Sequence, residues 1–364
     1  MRAMRGEFPS MDVYADGLAR GLRTAFPDWE IVEMEPTLRF NHTISSKWER
    51  AKNGVLRYWD RFWKYPRAVA AVGADVVHVM SDHHFQVARW TRGMKTKCVA
   101  TCHDLIYYRK RDNIEQFAKF VGISRWAQEY GMKSLRFCDH VITLSQDNVT
   151  DLQKFLGIEP GKITVIHNAV AEHFRPPQPG EREAARKKLG LTDEFAMVHV
   201  GTVEPRKNVD SILKALVAVK NENVLFIKVG NDFTETQKVY IAENQLAPHI
   251  HFLGRIPNPD VLAIYHACDA LIFPSLYEGF PFPICEALSS DLPVITSTVS
   301  SLPETAGGAA LLVDPFDIAG LATAIRRLRD EPGLRAEQIE KGRKRVAQLT
   351  WVENARAVAE VYRR

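Results

Sequence analysis

The sequence predicts an α/β protein of two domains, each built on a parallel sheet. Three observations carry this reading. Short apolar, β-branched runs alternate with helical patterns along the chain, as parallel strands covered on both faces do. The runs fall into two sets on either side of EHFRPPQPGERE, whose prolines and charges read as an interdomain linker. The 364 residues also suit two domains of about 100–200 residues each.

Taken in order, the chain opens on a loop, RGEFPSMD, before a helix running from Val13 through Leu18. Arg2 to Arg5 supply only a fragment of a first strand, so either the native start lies upstream of Met1 or that strand is shortened. Strands are expected at EIVEM from Glu30, DVVHV from Asp75, KCVATC from Lys97, HVITL from His140 and ITVI from Ile163. The second set is FAMVHVG from Phe195, VLFIKVG from Val224, IHFLG from Ile250, ALIFP from Ala270, PVIT from Pro293 and AALLV from Ala309. A last helix from Trp351 places Val352, Ala355, Val358, Ala359 and Tyr362 on one face.

Composition narrows the function. The formal net charge is +4, with the excess in the part up to His173, too small an asymmetry to argue for nucleic acid. The five cysteines form no CxxC pair and read as buried free thiols in a reducing compartment. The N-terminus has no apolar signal region, and no run reaches the roughly 18 apolar residues of a membrane span. A cytoplasmic protein is expected, peripheral at most at the inner face of the membrane. The contact would run through residues 46–67, where Trp48, Val55, Trp59 and Phe62 share a helical face among Arg50, Arg57, Arg61 and Lys64. The competing reading packs those aromatics on the first domain.

The chemistry concentrates in a few loops. In PSLYEGFPFPICEAL, residues 274–288, Glu278 and Glu286 lie across a turn from the strand Ala270–Phe273 into a helix, with Pro283 suited to its first turn. Ligands of open α/β sheets bind at that edge, and helix N-termini receive anions there. In GTVEPRKN, residues 201–208, Gly201 permits close backbone approach and Arg206 and Lys207 precede a helix capped by Asn208. Neither a Walker loop nor a GxGxxG fingerprint is present. VATCHDLIY puts His103 and Asp104 at a strand end, and MSDHHF puts Asp82, His83 and His84 at another. His78, His140, His167 and His199 lie in or beside strands and are assigned to the core. A metal among these histidines and aspartates is disfavoured, since no DxD motif accompanies them.

Glu-x7-Glu in these flanks, PS-x-YEGF before and P-x-CEA within, resembles the donor-site signature of retaining glycosyltransferases of the GT-B fold, family 4. The resemblance implies two Rossmann-like domains facing across a cleft: residues 1–173 for the acceptor, 174–345 for the nucleotide sugar, and a helix in 346–364 crossing back to the first domain. It implies that Arg206 and Lys207 bind the donor diphosphate, that Glu286 holds the ribose and that Glu278 lies close to the transferred sugar. Backbone N–H groups of Gly279, Phe280, Phe282 and Ile284 would contact hexose and phosphate. Pro281, where many relatives have glycine, removes one such donor. Arg255 and Ile256 in FLGRIPN would read the base through their backbone, uridine ahead of guanosine.

His103 would stand beside the hexose, with Asp104 orienting it or the acceptor hydroxyl. Asp82, His83 and Asp12 would meet the acceptor, and Ser145 and Asn168 match positions near the hinge. The implied activity is metal-independent, cofactor-free, retaining transfer of a hexose to a hydroxyl of a glycan or lipid-linked oligosaccharide in polysaccharide assembly. The rivals are an isomerase of the UDP-N-acetylglucosamine 2-epimerase type, a glycoside hydrolase, and a sugar-nucleotide binder without turnover.

Overall fold

A computed structural model describes residues 9–35, 56, 58–106, 108–109 and 123–364. They form two compact units. One comprises residues up to Ala169 together with Trp351–Arg364, and the other comprises Val170–Thr350.

The first unit carries four parallel strands in chain order: β1 (Val76–Val79), β2 (Lys97–Cys102), β3 (His140–Thr143) and β4 (Ile163–Val165). EIVEM is not a strand; residues 31–35 have no ladder partner. Its two glutamates, Glu30 and Glu33, leave too little apolar surface for a buried strand. Instead Met34 packs against the core beside β1 and accepts a hydrogen bond on its carbonyl from the Tyr65 hydroxyl, 2.8 Å away. Helix α1 (Pro9–Ala25) starts earlier than the sequence suggests, absorbing Ser10, Met11 and Asp12 into the helix. The Asp12 carboxylate then lies in the first turn, where it complements the helix dipole. Residues 1–8, where the sequence suggests at most a shortened first strand, lie outside the described residues, as do 46–55 and 57 of the aromatic, basic segment.

The C-terminal helix, Trp351–Arg363, completes this unit by packing on α1. Gly17 and Gly21, one turn apart, make the approach possible. A Cβ on Gly17 would stand 2.1 Å from Trp351 Cε2, and one on Gly21 2.2 Å from the Trp351 carbonyl oxygen. Of the expected apolar face, Ala355, Val358 and Ala359 are buried, whereas Val352 and Tyr362 are half-buried and Val361 is enclosed instead. Beneath the two helices runs a buried chain of hydrogen bonds. Thr101 Oγ1 meets the Tyr14 hydroxyl at 2.9 Å and His78 Nε2 at 2.7 Å, and His78 Nδ1 meets the Tyr362 hydroxyl at 2.7 Å.

The second unit is a six-stranded, all-parallel sheet. Its strands are β5 (Phe195–Gly201), β6 (Val224–Gly230), β7 (Ile250–Gly254), β8 (Ala270–Phe273), β9 (Val294–Ser297) and β10 (Ala310–Val313), ordered β10-β9-β8-β5-β6-β7. Every run expected from the sequence is a strand here: the four central ones, β9, β8, β5 and β6, are buried and read as continuous apolar stretches, while the edge strands β10 and β7 are partly exposed. The chain winds outward from β5 through β6 to β7, then returns to lay β8 on the other side of β5. The crevice at the carboxyl ends of β5 and β8 is therefore the topological switch point, where such sheets bind ligands.

Replacing Gly17 by alanine should force Trp351 off α1 and cost about 1–3 kcal/mol, the usual range for overpacking. Thermal denaturation should show a Tm lower by several degrees. An unchanged Tm would mean that the two helices do not pack as described.

Candidate active site

The first wall of the switch-point crevice is the exit of β5. Gly201 has φ 153° and a backbone that approaches β6 closely: a Cβ on its ladder partner Gly230 would lie 2.0 Å from the Gly201 carbonyl oxygen. The chain then makes a single 3-10 turn, Pro205–Lys207, before α2 (Val209–Val219). Asn208 does not cap that helix with its side chain, as its residue type suggested. Its backbone is left-handed (φ 53°, ψ 39°), a conformation asparagine tolerates. Its Nδ2 instead donates to the carbonyls of Pro274 and Pro315, at 3.0 and 2.8 Å, tying the β5 exit to the β8 exit.

The second wall is the exit of β8. Glu278 is buried, 7% exposed, and receives both cations of the first wall. Lys207 Nζ donates to its Oε1 at 2.6 Å and Arg206 Nη1 to its Oε2 at 2.7 Å. The hydroxyls of Ser300 and Ser301 donate to its backbone carbonyl at 3.0 and 2.8 Å. Burial alone would raise the Glu278 pKa, but Lys207 and Arg206 hold it below the ordinary carboxylate value. Lys207 also lies below its usual value, because burial and the neighbouring guanidinium outweigh the shared carboxylate. We regard the pair as ionised, since both carboxylate oxygens accept charge-assisted bonds. Arg206 has a second acidic partner, donating from Nε to Glu204 at 2.9 Å, and Lys207 Nζ lies 4.9 Å over the Phe273 ring.

The turn into helix α3 (Phe282–Ser289) explains Pro281. Its φ of −81° and ψ of 87°, with the Phe282 N–H donating to the Phe280 carbonyl at 3.1 Å, make an inverse γ-turn. The Ile284 N–H likewise donates to the Pro281 carbonyl, at 3.1 Å. The backbone donors of Phe282 and Ile284, expected to reach hexose and phosphate, are thus turned into the loop, while Phe280 stays buried with its ring 5.5 Å from that of Phe282. Glu286 follows inside α3 and accepts a hydrogen bond from the Tyr265 hydroxyl at 2.9 Å. Burial pushes its pKa up to about 7, against the opposing pull of that bond. Arg255 and Ile256 lie just past β7, and Arg255 Nη2 donates to Asn231 Oδ1 at 3.3 Å.

In the first unit, the carboxyl ends of β1 and β2 bring Asp82, His83, His103 and Asp104 to one edge of the sheet. His103 Nε2 donates to the Met80 carbonyl at 3.1 Å, which leaves Nδ1 as the acceptor, and burial lowers its pKa. Tyr14 meets its ring edge-on at 5.0 Å, and Asn148 Nδ2 donates to its carbonyl at 3.0 Å. Asp104 accepts from the Ile106 N–H at 3.2 Å, and Asp82 Oδ2 from Gln128 Nε2 at 3.1 Å. His84 does not join this edge. It is buried against Tyr65, with ring centroids 5.0 Å apart. Asp12 lies in the first turn of α1, on a different element from this group. Ser145 caps the helix Gln146–Leu156 by accepting from the Asn148 N–H, and Asn168 is fully buried.

Sequence reasoning missed several residues of the switch point. Tyr265, Ser300 and Ser301 sit too far along the chain for any spacing signal. Lys228 was visible as the one charge in VLFIKVG. No group of three or more metal-ligating side chains occurs among the described residues.

Two family models match the chain almost end to end: Glycosyltransferase Family 4 over residues 11–173 and Glycosyl transferases group 1 over residues 181–345. The chain is 26% identical over 265 residues to the O-antigen chain mannosyltransferase B of Escherichia coli, covering 70% of this chain and 67% of that one. It spans from 36% to 67% of the lengths of the Escherichia coli mannosyltransferases it matches. Among solved structures it resembles the sucrose-phosphate synthase of Thermosynechococcus elongatus, with a TM-score of 0.76 at 21% identity over 100% of this chain and 94% of that one. It also resembles Anabaena Alr3699/HepE, solved in complex with UDP-glucose, with a TM-score of 0.67 at 22% identity over 81% and 80% of the two chains. These structures share the GT-B fold. The chain belongs to glycosyltransferase family 4, the group 1 glycosyl transferases.

Proposed function

We propose that this protein transfers a hexose from a nucleoside-diphosphate sugar, a UDP-sugar ahead of a GDP-sugar, to a hydroxyl of a glycan or lipid-linked oligosaccharide, with retention and without a metal. The observation that carries the reading is the meeting of Arg206, Lys207 and Glu278 at the switch point, with Glu286 on the helix that follows. Two fixed cations there suit a diphosphate, whose charge grows as it departs. Glu286 suits the two ribose hydroxyls, as acidic ligands of dinucleotide folds do. The UDP-glucose complex of Alr3699/HepE supports the uridine preference.

The bond from the sugar's anomeric carbon to the phosphate oxygen breaks as the acceptor oxygen attacks on the same face. The acceptor proton passes to the departing phosphate. Both Glu278 oxygens are held by cations, which makes that carboxylate a poor nucleophile and favours this route over double displacement. His103, neutral because burial lowers its pKa, would stand at the sugar from the acceptor domain. Asp82, His83 and Asp104 would orient the acceptor, in polysaccharide assembly at the inner face of the membrane. Support for an acceptor with an apolar part comes from a hollow of about 480 Å³ lined by Phe62, Trp63, Trp90, Trp126 and Tyr130. Trp63 in that lining and Trp59 stacked on it are 44% and 58% exposed, as a peripheral membrane contact requires. No described helix is long and apolar enough to cross a membrane.

Calorimetry with UDP, GDP and ADP in EDTA tests the donor site directly. One nucleoside diphosphate should bind tightly, and binding of none would refute the assignment. Affinity should rise with pH through about 7 as Glu286 ionises, and Glu286→Gln should flatten that rise while weakening binding. The same raised pKa means that the native state loses stability as pH climbs from the unfolded glutamate value, about 4.3, through about 7. Glu286→Gln should therefore have the higher Tm at pH 8, and an equal or lower Tm would contradict the enclosed carboxyl.

Glu278→Gln should leave the buried Lys207 and the half-buried Arg206 without their shared anion and cost about 3–5 kcal/mol, as when one partner of a buried pair is removed. Saturating nucleoside diphosphate should restore part of the lost Tm by binding the freed cations. His103→Ala should lower transfer by roughly 10²–10⁴-fold, the usual scale for a general acid–base or positioning group, with nucleotide affinity unchanged. Loss of nucleotide affinity in that variant would favour a different role.

A further inference from the structure

We propose that Lys228 is a positioning residue for the nucleotide sugar: it fixes the Gly201 carbonyl beneath the phosphate-binding loop and supplies the positive charge that the loop's own cations lack. The inference rests on the donor-site reading above. Lys228 lies in the interior of β6 and is 0% exposed. Its Nζ donates to the Gly201 carbonyl at 2.7 Å and to the Val229 carbonyl at 2.9 Å. No carboxylate forms an ion pair with it among the described residues, although burying an ammonium unpaired is costly and a methionine of similar shape would avoid the cost.

Charge counting shows what the ammonium adds. Arg206 and Lys207 are matched by Glu204 and Glu278, so that group of four sums to zero. Facing Lys228 in the ladder is His199, fully buried, with neither ring nitrogen hydrogen-bonded. Burial, with Lys228 and Lys207 nearby, keeps that imidazole neutral. Asp232, at the β6 exit, is held by Lys238 at 2.9 Å, and β7 presents Phe252 opposite Lys228. Lys228 is therefore the uncompensated charge under the loop, against a donor diphosphate of about two negative charges. Its hydrogen bond also orients the residue at which β5 turns into the loop, where Gly230 makes room.

The consequence is an alkaline limit on donor binding, since burial and Lys207 lower the Lys228 pKa to about 8. The charged form prevails below that value and is lost above it, so nucleotide affinity should fall as pH rises through about 8. The acidic limb set by Glu286 is separate and should be untouched by changes at Lys228.

The test is calorimetric titration of wild type, Lys228→Met and Lys228→Gln with UDP, GDP and ADP between pH 6 and 9.5, with Tm and steady-state kinetics in parallel. Both variants should bind about tenfold more weakly at pH 7.5, raise the donor KM more than they lower kcat, and lose the alkaline fall in affinity. The methionine variant should keep or raise the wild-type Tm. Wild-type affinity in both variants, or a Tm loss with the alkaline limb intact, would make Lys228 a packing residue and overturn this inference alone. Absence of any nucleotide binding by the wild type would overturn the donor site and this inference together.

Discussion

One carboxylate joins the two halves of the crevice. Glu278 leaves β8, yet both its oxygens are occupied by side chains that leave β5, and those strands are neighbours only because the sheet order reverses between them. A buried carboxylate with one cation would be a weak anchor, because desolvation cancels much of the attraction. With two cations on separate oxygens and two serine hydroxyls on its own carbonyl, it holds its geometry. The 3-10 turn, the left-handed Asn208 and the inverse γ-turn at Pro281 are arranged around it.

The ion triple also bears on how the proposed donor would bind. The two cations are neutralised by protein carboxylates, Glu278 and Glu204, so neither is left as a bare charge in the crevice. Under the proposed function a donor diphosphate would compete for the same donors, so binding would redistribute hydrogen bonds already made.

Much of this was legible in the sequence, for identifiable reasons. The second sheet could be read strand by strand because its central parallel strands, buried on both faces, leave contiguous apolar runs, and the partly exposed edge strands β7 and β10 keep the same apolar character. Glu278, Glu286, Arg206 and Lys207 stood out because residue type and spacing survive without knowledge of packing. Which carboxylate each cation chooses did not, since that depends on strands adjacent in space and far apart in sequence. Asn208 had the composition of a cap and a backbone that forbids the role. EIVEM had the look of a strand at its centre and too many glutamates for one. Gly17 and Gly21 carried a signal, two small residues one turn apart, whose meaning required the partner helix to be known.

The packing of Trp351 into the notch formed by Gly17 and Gly21 bears on the order of assembly during synthesis. The first unit is discontinuous: its closing helix emerges only after the whole of Val170–Thr350 has been made. Until then α1 has an uncovered groove and Tyr14, Thr101 and His78 lack the Tyr362 end of their hydrogen-bond chain. The second unit is contiguous and can reach its native core while the ribosome is still at work. The domain translated first is thus the one completed last, and a chain that stalls before Trp351 would hold a finished second unit and an unsealed first one.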